Sequence, residues 1–280
     1  MPRFETKYGY FNDNDHDFVI TNYKTPKPWV NVISNGNYGL VISQTGGGFS
    51  FLEHSEFNRL NRWHQDLIQD NWGKYFYFKN ENTGDVWNPL WMPSKKEITN
   101  YKATYGFGFA SFQSEYKGIL VELDVFVPMK SNLEVWSFKV TNKTSEAVEL
   151  SIYSYFEWCL GSSADHHREF HKTFIETHFD AQLNAMLATK RLWEIPLGDR
   201  GHWNVEYPYF GYISSNQPIL DYEGDKEKFI GQYGDLANPQ SVNQEKLSNT
   251  LGKWNDSIGT VRVKLPVAAK ETKDAAFYMG

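Results

Sequence analysis

The stretch Glu134–Phe156 reads EVWSFKVTNKTSEAVELSIYSYF, and its periodicity decides the fold class. Trp136, Phe138 and Val140 fall on one face of an extended chain, with Val135, Ser137 and Lys139 on the other. After the polar run Asn142-Lys143-Thr144-Ser145 the alternation resumes. Val148, Leu150, Ile152 and Phe156 point inward, while Glu149, Ser151, Tyr153 and Tyr155 point outward. A two-residue period is the mark of a half-buried strand, and a polar run between two such segments predicts an antiparallel hairpin.

The same grammar extends along the chain. Ile119–Val127 is a strand, entered through Lys117-Gly118 and ended by Pro128, while Tyr75–Lys79 and Asp85–Trp87 flank the turn Asn80–Gly84 as a further hairpin. Val261–Gly280 (VRVKLPVAAKETKDAAFYMG) also reads as a strand pair running to the last residue, which predicts one module of a larger protein. Short strands separated by Gly, Asn, Asp and Pro point to a β-sandwich. One segment dissents: Phe179–Trp193 (FDAQLNAMLATKRLW) is rich in good helix formers and, on propensity alone, is a helix. No repeat or linker divides the 280 residues, so residues 1–280 are read as a single domain.

Composition narrows the function classes. Aromatics make up 17% of the chain, and most of these rings are expected in the core, since strands favour them. Ring-rich surfaces also suit sugars, whose C–H faces stack on aromatic rings. A formal net charge of −6 with no basic stripe argues against a nucleic-acid partner. Cys159, the one cysteine, has no partner for an internal disulfide. The N-terminus lacks the apolar stretch of a signal peptide and no window approaches a membrane span, so a cytoplasmic protein without a membrane partner is expected.

A colinear set of motifs carries a resemblance. The opening KYGYFNDNDHDFVI (Lys7–Ile20) is followed by TPKPWVN (Thr25–Asn31), YGLVISQTGGGFSF (Tyr38–Phe51) and NRLNR (Asn58–Arg62). TGDVWNPLW (Thr83–Trp91), YGFG (Tyr105–Gly108), FVP (Phe126–Pro128), FEWC (Phe156–Cys159) and FIGQYGDLANP (Phe229–Pro239) continue it. Together they resemble the N-terminal domain of the glycoside hydrolase family 94 phosphorylases. These include cellobiose, cellodextrin, laminaribiose and chitobiose phosphorylases and the related part of cyclic β-1,2-glucan synthase. The resemblance implies an all-β fold, a large antiparallel supersandwich of the galactose mutarotase type with few short helices. A helical (α/α)6 catalytic barrel would follow it and is absent from this chain. It also implies that Ala185–Trp193 is a strand, against its local propensity.

The resemblance implies inverting phosphorolysis. Inorganic phosphate, the co-substrate, attacks the anomeric carbon of a β-linked gluco-oligosaccharide while one carboxylic acid protonates the leaving oxygen. Phosphate is already an anionic nucleophile, so the second carboxylate of an inverting hydrolase is not needed. The family's acid, an Asp, and its phosphate cradle lie in the barrel. No catalytic residue is therefore assigned to this chain, and no cofactor is expected. The sandwich is expected to support the barrel, to take part in a homodimer and to lend a loop to the acceptor side of the cleft. In this chain that loop is ADHHREFHKTFI (Ala164–Ile175). By position His171 stands where cellobiose-specific members have Gln and Lys172 where they have Arg, with Arg168 close by, so Arg168, His171 and Lys172 are the candidate substrate-binding residues. Lys in place of Arg loses a planar donor fork, which points away from cellobiose towards laminaribiose or a longer β-glucan.

Several alternatives stay open on the residues alone. The loop could be a solvated polar segment, or His166, His167 and His171 could hold a metal, although no second ligand cluster supports them; no metal is assigned. Gly46-Gly47-Gly48 lacks the helix and Lys-Ser/Thr of a phosphate loop and reads as a tight turn or close backbone approach. Asn58-Arg59 and Asn61-Arg62 with Trp63 could line a sugar path or pack Arg on Trp. Asn142-Lys143-Thr144 matches a glycosylation acceptor by chance. The rival function is a free-standing carbohydrate-binding or assembly module without catalysis.

Overall fold

A computed structural model describes residues 4–12, 16–163, 169–196 and 202–280. Among them are twenty-two strands, numbered along the chain, and one short α-helix, α1 (Lys226–Ile230). A ten-stranded antiparallel sheet runs β1 (Gly9–Phe11), β2 (Phe18–Ile20), β9 (Thr99–Gly106), β10 (Phe109–Tyr116), β11 (Ile119–Phe126), β12 (Glu134–Asn142), β22 (Thr272–Met279), β19 (Gly211–Ser215), β16 (Ala185–Lys190), β15 (Ile175–Asp180). A five-stranded sheet runs β20 (Asp221–Asp225), β21 (Ser257–Val267), β13 (Val148–Tyr155), β7 (Tyr75–Asn80), β8 (Val86–Trp87). A second runs β14 (Trp158–Gly161), β6 (Arg59–Asn61), β5 (Gly48–Leu52), β4 (Tyr38–Ser43), β3 (Val30–Ser34). β17 (Trp193–Pro196) and β18 (His202–Val205) form a separate ribbon. No helix among the described residues is long and apolar enough to cross a membrane.

The fold class is the expected sandwich, but the expected hairpin over Glu134–Phe156 does not form. β12 pairs with β11 and β22 in the ten-stranded sheet, whereas β13 pairs with β7 and β21 in the other layer. The alternation is real, since Trp136, Phe138, Val140, Leu150 and Ile152 all bury in one core. Period two reports which face is covered and says nothing about the partner strand. The chain here crosses from one sheet to the other, so the two apolar faces meet across the core. β21 and β22 cross between the same two sheets, so Val261–Gly280 is likewise not a hairpin.

Asn142 joins the two crossings. Its buried side chain donates Nδ2 hydrogens towards the carbonyls of Glu146 (2.7 Å), Val267 (3.2 Å) and Ala268 (3.2 Å), and its Oδ1 accepts from the Thr144 amide (2.9 Å). An amide bonded in this way is no glycan acceptor. The hairpin over Tyr75–Trp87 forms as expected, and the turn expected at Lys117-Gly118 joins β10 to β11 as a further hairpin.

Tyr153 and Tyr155 do lie on the opposite face of β13 from Leu150 and Ile152, yet that face is not wet. A second cluster covers it, built from Tyr75, Tyr77, Phe229, Val242, Leu247 and Ile258. Phe229, from the FIGQYGDLANP motif, stacks on Tyr155 at 5.1 Å. Asp225 caps α1 by accepting from the Glu227 amide at 3.0 Å, which holds that cover in place. In the helix-like segment, Ala185–Lys190 pairs with both β15 and β19. Ala185, Met186 and Ala188 are buried there, so burial in the sheet overrides the helix propensity of Ala and Met, as the resemblance implied.

Candidate functional site

β6 and β14 lie side by side, and the residues that follow and precede them meet at their ends: the Arg62 amide donates to the Glu157 carbonyl at 2.8 Å. From there the Arg62 guanidinium reaches into a polar pocket of the framework. Nη1 pairs with Glu157 Oε2 at 3.0 Å, Nη2 pairs with Asp256 Oδ1, and Nε donates to the Trp158 carbonyl at 3.1 Å. Glu157 Oε1 also accepts from the Tyr155 hydroxyl at 2.8 Å and pairs with Lys226 Nζ at 2.6 Å. Asp256 Oδ2 takes Lys172 Nζ at 3.0 Å. Three cations thus face two carboxylates in one chain of contacts from the core to the rim.

Exposure rises outward along that chain. The Glu157 side chain is 5% exposed, Arg62 13%, and Lys172 37%. Burial works to raise the Asp256 carboxyl, but Arg62 and Lys172 outweigh it and hold the group below the usual carboxylate range. A carboxylate kept ionised in this way is a poor proton donor, the opposite of what a general acid needs. Among the described residues, no three His, Cys, Asp or Glu side chains gather closely enough to hold a metal ion.

Of the three candidate residues, Lys172 reaches the surface, on the 3-10 turn Glu169–Phe174. His171, on the same turn, is buried and meets the Phe170 ring edge-on at 5.2 Å. Arg168, with His166 and His167, lies outside the described residues. Of the network residues Arg62, Glu157, Lys226 and Asp256, the sequence flags Arg62 alone, as lining a sugar path or packing on Trp63, and its guanidinium instead pairs with Glu157 and Asp256. The four lie up to 194 positions apart in the chain, and the available signal was a carboxylate, Glu157, inside the apolar run Tyr155–Leu160.

The other flagged motifs turn out to be framework. Arg59 lies over the Phe49 ring at 3.9 Å and near Trp63 at 5.8 Å, so the Arg-on-aromatic reading holds for it. Asn58 accepts from the Tyr207 hydroxyl at 2.6 Å, and Asn61 donates to the Gly48 carbonyl at 3.1 Å. Gly46–Gly48 is a close backbone approach. A Cβ on Gly47 would lie 2.2 Å from the Asp70 carboxylate, and one on Gly48 would lie 1.9 Å from the Val41 carbonyl oxygen. A second ion pair, Lys74 with Glu134 at 3.0 Å, is buried beneath the sheets, joined by Ser50 and by the Trp136 indole. Cys159 is buried, and burial pushes its thiol up, away from the reactive thiolate.

The comparisons agree with this architecture. The chain is 28% identical over 277 residues to an N,N'-diacetylchitobiose phosphorylase from Vibrio furnissii, covering 98% of this chain and 33% of that protein. It is 27% identical over 257 residues to a solabiose phosphorylase from Paenibacillus borealis, covering 91% of this chain and 32% of that one. The chain therefore spans about a third of the length of these curated relatives. Among solved structures, a bacterial glucoamylase complexed with acarbose shares the fold, with a TM-score of 0.52 at 8% identity over 91% of this chain and 33% of that one. The description "Glycosyl hydrolase 94, supersandwich domain" matches residues 16–280. With that match over nearly its whole length, the chain belongs to the glycosyl hydrolase 94 supersandwich domain family.

Proposed function

We propose that this chain is the N-terminal sandwich of an inverting phosphorylase acting on β-linked gluco-oligosaccharides. The products are an α-sugar 1-phosphate and a shortened acceptor, with inorganic phosphate as co-substrate and no cofactor. The domain supports a catalytic helical barrel, takes part in a homodimer and contributes to the acceptor side of the cleft. The observation that carries this reading is Lys172, held at the exposed end of a cation-rich network anchored in the core. Asp256 takes one ammonium hydrogen, which leaves two for acceptor hydroxyls. His171 is assigned to fixing the turn from beneath, and Arg168 remains a third candidate contact.

The Lys172→Ala variant of the complete enzyme tests it. The acceptor KM should rise about tenfold, the cost of one charge-assisted hydrogen bond, while the phosphate KM stays within about twofold. Unchanged acceptor kinetics would remove the loop from the acceptor site. The second reading, a carbohydrate-binding module without catalysis, is favoured by the exposed rings of Phe170 and Trp254 on the same rim.

A further inference from the structure

Trp254 stands in the connection leading into β21 with φ at +71°, a backbone region that costs a residue bearing a Cβ on the order of 1–3 kcal/mol. The residue is also exposed, at 66% accessibility. Phe174 braces its ring at 6.1 Å, and Phe170, itself half exposed, braces Phe174 at 6.1 Å. Polar groups border this aromatic row. Lys172 Nζ and Asp256 Oδ2 lie 3.0 Å apart on one side, and Lys253 pairs with Glu176 at 3.2 Å next to Trp254 itself.

A protein partner is best met by a patch whose centre is depleted of charge. A ring face beside paired donors and acceptors has another complement: a pyranose, whose axial C–H hydrogens form an apolar face and whose hydroxyls surround it. We infer that Trp254 is the stacking platform of a pyranose subsite, with the Lys172–Asp256 pair hydrogen-bonding the sugar's hydroxyls. The ligand class is a β-linked oligosaccharide, one pyranose of which lies on Trp254 within reach of Lys172 and Asp256. The inference rests on the acceptor-side reading of Lys172 and adds to it the aromatic surface on which that sugar stacks.

The test is saturation-transfer NMR of the 280-residue chain with cellotriose and laminaritriose as probes, which needs no catalysis. The wild type should bind at least one of them, with saturation concentrated on the C–H hydrogens of one pyranose. Trp254→Ala should weaken binding about fivefold or more, while Trp254→Phe retains most of it. Phe107→Ala, which removes an exposed ring in the β9–β10 turn, should change nothing. The platform is overturned if neither probe binds the wild type, if Trp254→Ala binds unchanged, or if Phe107→Ala weakens binding equally. Loss in Lys172→Ala with Trp254→Ala intact would also remove the platform, while leaving the acceptor role of Lys172 standing.

Discussion

Replacing Asn142 with Ala should destabilise the sandwich far more than its place in a polar turn suggests. The side chain spans the two crossings between sheets, donating towards three carbonyls from two separate segments. The amide has two hydrogens, so truncation removes two donations and leaves carbonyls without them, that of Val267 in the buried interior. At about 1.5 kcal/mol each, the loss is about 3 kcal/mol. Unfolding entropy of about 2.1 cal/mol/K per residue gives about 0.6 kcal/mol/K for 280 residues, so the midpoint should fall by about 5 °C. Thr144→Ala is the control. It abolishes the glycosylation pattern equally but removes only the local bonds of Oγ1 to Asn142 and Glu146, and should shift the midpoint by about 2 °C or less. Scanning calorimetry of the two variants beside the wild type decides. Equal shifts for the two, or no measurable shift for Asn142→Ala, would refute the account of how the layers are joined.

Arg62→Met should cost about 3 kcal/mol in urea unfolding, because it removes the buried partner of Glu157 and leaves the partly exposed Lys226 as its remaining cation; a loss near zero would mean that the network does not hold the site together. Lys172→Ala should change stability by less than about 1 kcal/mol, its partner pair being partly exposed, so that its kinetic effect is not a folding effect. Lys190 is buried, donates to the Cys159 carbonyl at 3.1 Å, and burial pushes its ammonium down to about 8. Its unfolded value is about 10.4, so between these limits the unfolded chain holds the extra proton. Folding stability should therefore rise with pH across that window relative to Lys190→Met, and a flat difference between the two proteins would contradict the burial of a charge there.

Strand content was legible because alternation at Trp136, Phe138, Val140, Leu150 and Ile152 reports burial directly. The partners of those strands were not legible, since a crossing between layers and a hairpin have the same local pattern. Tyr153 and Tyr155 look outward in any one-core reading, and only the distant Phe229 segment converts their face into a second core. Ala185–Lys190 shows the limit of propensity: a helix-forming composition yields to two flanking strands. For the site, motif position pointed to Lys172. The groups that hold it, Asp256 and Arg62, come together only through β6, β14 and β21, and no local spacing announces them.

The central claim is that these sheets shape an acceptor site while the proton donor belongs to another domain. Its most direct measurement is phosphate release from glucose 1-phosphate in the presence of β-glucoside acceptors, using the purified 280-residue chain. No release above the uncatalysed background is the predicted result. Sustained turnover by this chain alone would contradict it.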